Sequence, residues 1–159
     1  MPLTTTGIAI QILSSLHTRK KFPNDCSVND CKVVVNHLIR KFSEPLNRNG
    51  ESAVMQSKEV LKNTASHTVR DHAVPVIVLL EQLLAWPEEN LEIKSDNWKR
   101  VEEFLKKSLL IVEVTREEDR TLTKNGFQRE MPEEWSNENN CLHLDPLARY
   151  KKSKIEIEV

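Results

Sequence analysis

Two adjacent side chains carry most of the chemical content of this sequence. They are Asp71 and His72, in the string Asp71-His72-Ala73-Val74-Pro75. An imidazole changes charge near neutral pH and can take a proton. A carboxylate is a hard oxygen ligand suited to small divalent cations. A softer set is Cys26-x4-Cys31 with Cys141-Leu142-His143. Three thiolates and an imidazole would suit a four-ligand zinc site, although x4 is at the wide limit of ligand spacing. The other reading of these residues is ordinary buried or loop cysteines. Phosphate-cradling loops are excluded. Only three glycines occur (Gly7, Gly50, Gly126), so neither a P-loop nor a dinucleotide fingerprint is present and no nucleotide cofactor is expected.

The string Asp71-His72-Ala73-Val74-Pro75 resembles the opening motif of HNH-type (ββα-metal) nucleases. In that family an acidic residue and a His stand at the end of a strand, with a Pro shortly after. The resemblance implies a strand pair and a following helix around one divalent metal. It implies a metal-dependent endonuclease or phosphodiesterase acting on nucleic acid, with Mg²⁺ or Mn²⁺ as cofactor. On that basis His72 would be the general base, Asp71 a metal ligand, and Glu118 or Asp119 a further ligand from the helix. Arg70, Arg116, Arg120 and Lys124 would hold the nucleic acid. The match is close over the five quoted residues, and over 69–124 it is an order of elements. Asp71 followed by Glu92-Ile93-Lys94 imitates another nuclease pattern, an acid and then acid-x-Lys, but the second part falls in a polar connection between helices.

Without the resemblance, Asp71 reads as a cap for the helix that Pro75 opens and His72 as a polar residue near its start. The corresponding function is a non-enzymatic helical binding or regulatory protein. It would engage a protein partner through an exposed patch that includes Trp86, Trp98 or Trp135. The stretch from Thr115 to Tyr150 fits either view. Arg116, Arg120, Lys124, Arg129 and Arg149 alternate there with Phe127, Trp135 and Tyr150. Such interleaving can stack bases and hold phosphates or anchor a protein, but Glu117, Glu118, Glu130, Glu133 and Glu134 dilute the positive field, and the favoured reading of the stretch is a small satellite core under a long loop.

The remaining composition sets bounds. A chain of 159 residues, 38% hydrophobic and 30% charged, suits a globular protein read as a single domain over 1–159. The net charge of -1 does not advertise nucleic-acid binding, but a local patch matters more than a sum. An odd number of cysteines fits no closed disulfide framework. The start lacks the pattern of a signal peptide, and the longest apolar run is too short for a membrane span. These features point to a cytoplasmic protein with reduced thiols and no membrane partner.

The elements that must position these residues read as follows. Apolar spacing predicts a helix from Thr4 to Leu16, with threonines as caps. Ser27 to Asp30 forms a capping box for a helix burying Val34, Leu38 and Phe42. Asn47-Arg48-Asn49-Gly50 is a turn, and a helix is predicted from Glu51 to Thr64. Val69 to His72 is extended, and Pro75 opens the most apolar helix. Ser95-Asp96 caps a helix from Asn97 to Lys107 with Trp98, Val101, Phe104 and Leu105 as its buried stripe. Leu109 to Val114 is a strand, and Thr115 to Glu118 caps a helix ending near Lys124. Met131 to Asn140 is loop, and Lys154 to Val159 alternates like an edge strand. The fold expected is mainly α (α+β): about five helices with a small C-terminal antiparallel sheet.

Overall fold

The computed structural model describes residues 3–44, 54–62 and 67–159. In chain order the elements are α1 (Thr5–Lys21), α2 (Val28–Ser43), β1 (Val54–Ser57), α3 (Lys58–Lys62), β2 (Thr68–His72), α4 (Val76–Leu84), α5 (Ser95–Ser108), β3 (Ile111–Thr115), α6 (Arg116–Lys124), α7 (Ala148–Lys152) and β4 (Ile157–Glu158). The class is α+β. Backbone contacts group the chain into two compact units. One contains residues up to 44 together with 79–107; the other contains 54–62, 67–78 and 108–159. No helix among the described residues is long and apolar enough to cross a membrane.

The first unit is helical. Thr4 caps α1 by accepting from the Gly7 N–H at 3.0 Å. Ile8, Ile12, Leu13 and Leu16 are buried at the expected helical spacing. In α2 the Ser27–Asp30 capping box forms as the sequence predicts. Its buried stripe, however, is Cys31, Val35, Ile39 and Phe42. Val34 is exposed and Leu38 half-buried, so the expected stripe is rotated by about one residue. The run Val33-Val34-Val35 is apolar all round, and spacing alone does not say which member faces in. In α5, Val101 and Leu105 are buried, whereas Trp98 and Phe104 are half-buried, and Phe104 meets the Trp86 ring edge-on.

Glu102 of α5 reaches the start of α1, accepting from Thr5 at 2.6 Å and Thr6 at 3.1 Å. Burial pushes its carboxyl up, but these hydrogen bonds and the Lys106 charge outweigh burial and hold it below 4.5. A depressed carboxylate adds stability above its unfolded value and loses it as pH falls through the folded one. The unfolding midpoint of the Glu102→Gln variant should therefore lie below that of wild type at pH 7. The two should converge in urea titrations carried down to acid pH.

The second unit holds a mixed four-stranded sheet in the order β2-β3-β1-β4. β2 and β4 pair antiparallel to their neighbours, while β1 and β3 run parallel. This corrects the expected C-terminal antiparallel sheet: two of its strands lie between residues 54 and 72. It also corrects the helix expected over Glu51 to Thr64: among the described residues of that span, Val54–Ser57 is a strand and Lys58–Lys62 is helical. Residues 51–53, 63 and 64 lie outside the described part, as does the Asn47 to Gly50 turn. Val54-Met55-Gln56-Ser57 is too short to show a period of its own. It lies inside the sheet, where pairing on both sides holds it extended up to the start of α3 at Lys58. β4 is the edge strand expected near the C-terminus, but only two residues of it pair. The core of this unit is Ala73, Val112, Val114, Leu122, Tyr150 and Ile155.

Candidate functional site

The β2–β3 register decides which side chains can meet. Val69 stands opposite Val114, Asp71 opposite Val112, and His72 opposite Ile111. Side chains alternate across a strand. Val112 and Val114 point into the core, so Val69 and Asp71 share that face. Thr68, Arg70 and His72 take the other face, with Ile111, Glu113 and Thr115. Two side-chain bonds agree: Thr68 donates to Glu113 at 2.7 Å, and Tyr150, a core residue, donates to Asp71. Asp71 and His72 thus stand on opposite faces of one strand.

Asp71 is engaged at its own site. Its Oδ2 accepts from Arg149 Nη2 and from the Tyr150 hydroxyl, each at 2.5 Å. Arg149 is 1% exposed. Its Nε donates to the Ala73 carbonyl at 2.9 Å, Nη2 also to the His72 carbonyl at 2.5 Å, and Nη1 to the Phe127 carbonyl. A buried guanidinium needs both a counter-charge and acceptors for its fork of donors, and it has them here. Burial, and next the Asp71 carboxylate, push the Tyr150 phenol up, so it stays a donor. Asp71 does not cap α4; it anchors α7 to the end of β2.

Glu118 is likewise committed. It accepts from the Thr115 N–H at 2.9 Å, closing the capping box of α6 that the sequence predicts. It also accepts from the Ser57 hydroxyl at 2.7 Å. Ser57 is fully buried at the end of β1 and receives the Val60 N–H at 3.1 Å. Nothing in the sequence marks Ser57; its role follows from β1 lying beside β3. Asp119 is half-buried in the first turn of α6, where its charge suits the helix dipole. Among the described residues, no group of three or more His, Cys, Asp or Glu side chains is placed to hold a metal ion. Cys26 and Cys31 belong to the first unit, Cys141 and His143 to the second. Glu92 pairs with Lys94 at 3.2 Å in the first unit, whereas Asp71 is in the second.

The cations of α6 are arranged differently. Arg116, Arg120 and Lys124 are four residues apart and all exposed. Each step of four advances about 40° round a helix, so the three form one stripe. Arg116 and Arg120 also line a cavity of about 680 Å³, where Lys154 adds to them, Glu59, Glu117 and Glu118 oppose them, and His67 lies alongside. Glu59 is offset by Lys62 at 3.2 Å. Arg70 is not part of this group. It lies on the sheet face away from the core, directly across from Glu113, while α6 packs on the core face through Leu122. The aromatics of the same region are withdrawn: Trp135 and Tyr150 are buried and Phe127 half-buried, so stacking on bases is not what they offer. Trp86 and Trp98 are half-buried as well.

Compared with known proteins, the chain matches no family model, no curated protein and no solved structure.

Proposed function

We propose that this is a non-enzymatic nucleic-acid-binding protein that contacts the phosphate backbone through α6. The observation that carries the reading is the exposed stripe Arg116, Arg120, Lys124. Three aligned, solvated cations match a row of phosphates and need no base recognition. The commitments of Asp71 to Arg149 and Tyr150, and of Glu118 to its capping box, favour binding over metal-assisted cleavage.

A second reading keeps the HNH-like nuclease, with His72 as base and Mg²⁺ or Mn²⁺ as cofactor, without Asp71 as a ligand. One observation favours it. β2 and β3 pair antiparallel and α6 follows β3 directly, so a strand pair with a following helix is present, although α4 and α5 intervene in the chain between the two strands.

One experiment separates the two. Labelled duplex DNA and RNA are incubated with the protein and Mg²⁺ or Mn²⁺, then run on native and on denaturing gels. A native shift with intact strands supports the binding reading. Strand cleavage that is lost in His72→Ala supports the nuclease. Neither shift nor cleavage would overturn both and leave a protein partner as the ligand class.

A further inference from the structure

Two thiols frame the start of α2. Ser27 is its N-cap, so Cys26 stands just before the cap and Cys31 four positions into the helix. Side chains at those two places meet across the first turn; in many helices an apolar pair there fixes the angle at which the chain enters. In this protein the pair is two cysteines. Both line one small groove with Ser14, Ser15 and Thr18 of α1. Both are free thiols, Cys26 half-buried and Cys31 buried. The Cys31 thiol donates to the Ser15 carbonyl at 3.7 Å.

We propose that Cys26 and Cys31 are a reversible thiol–disulfide pair, closed by exchange with a low-molecular-weight disulfide. The more accessible Cys26 reacts first. Its thiolate attacks one sulfur of the small disulfide, a mixed disulfide forms, and the first small thiolate leaves with the proton Cys26 gave up. The Cys31 thiolate then attacks the Cys26 sulfur, forms the protein disulfide, and expels the second small thiolate, which takes the Cys31 proton. Two protein thiols are oxidised by two electrons and one small disulfide is reduced to two thiols. Burial, and next the neighbouring Cys26, push the Cys31 thiol up, while Arg19 of α1 opposes them. Cys31 therefore attacks only once the mixed disulfide holds a sulfur beside it. Closure has a structural consequence. Cys31 loses the S–H that it donates to Ser15, so the thiol state is felt in the contact between α1 and α2.

The test uses the full chain and oxidised glutathione, followed by iodoacetamide and trypsin. Cleavage after Lys21 and Lys32 releases a peptide, Phe22–Lys32, that holds both cysteines, while Cys141 lies on another peptide. The result expected is a Phe22–Lys32 peptide lighter by about 2 Da that takes up no alkyl group. Dithiothreitol should restore two alkylation sites, and Cys141 reports that the reagents worked. In the intact oxidised protein, the first-turn amides of α2 should exchange hydrogen several-fold more slowly. Alkylation of both cysteines after oxidation would overturn the proposal, as would glutathione adducts on Phe22–Lys32 without closure. Cys26→Ser, a change at a half-buried position, should leave Cys31 free for alkylation after the same treatment; Cys31 recovered instead in a disulfide with the Cys141 peptide, in wild type as in the variant, would place the bond elsewhere and overturn the pairing.

Discussion

Arg149→Met is expected to lower the unfolding free energy by about 3 kcal/mol, the low end of the cost of breaking a buried ion pair from one side, because Arg149 is buried while Asp71 keeps 21% of its side chain exposed. The methionine keeps most of the volume and none of the donors. Asp71 would keep only the Tyr150 hydroxyl, and the carbonyls of Ala73, His72 and Phe127 would each lose a charged donor. Tyr150→Phe removes one hydrogen bond to the same carboxylate and should cost less, about 1–2 kcal/mol. The two changes share Asp71 as partner, so their effects should not add in a double-mutant cycle. Urea denaturation of the two single variants and the double variant checks all three values. A loss below about 1 kcal/mol for Arg149→Met would mean that the guanidinium behaves as a solvated surface group rather than as the anchor of α7.

The triple change Arg116→Glu, Arg120→Glu, Lys124→Glu is expected to weaken binding to duplex DNA or RNA by about a hundredfold or more at low salt. The stripe would turn from attracting phosphates to repelling them. Stability should change little. All three residues are exposed, and the new acid at Arg116 suits the start of the helix dipole while that at Lys124 opposes its end. The matched control is Lys99→Glu, Arg100→Glu and Lys107→Glu, on three exposed positions of α5. If charge in general drives binding, the control should lose affinity nearly as much. If α6 is the contact, the control should stay close to wild type in fluorescence anisotropy.

Much of the local structure was legible because it rests on short-range rules. Ser27 with Asp30 and Thr115 with Glu118 announce two helix starts, and both capping boxes form. The β-branched run at 109–114 and the extended 69–72 segment become β3 and β2, shifted by one or two residues. The failures are long-range. β1 is a strand because β3 and β4 pair on either side of it, and no residue within 54–57 encodes that. The Asp71–Arg149 contact joins residues 78 positions apart. In the sequence Arg149 reads as one more surface cation beside Lys151 and Lys152. Asp71 and His72 invite a common site because they are adjacent. A strand's two-residue period separates them, and adjacency is legible in a sequence where facing is not. The Arg116, Arg120, Lys124 stripe was legible for the opposite reason. Once the helix is granted, a spacing of four fixes the face.

The salt dependence of wild-type binding to a short labelled duplex reports phosphate contact by α6. Three phosphate contacts predict that the logarithm of the association constant falls with the logarithm of salt concentration at a slope of about −2.7. Absence of binding at about 50 mM salt, or an affinity that salt leaves unchanged, would contradict a phosphate-binding role for α6.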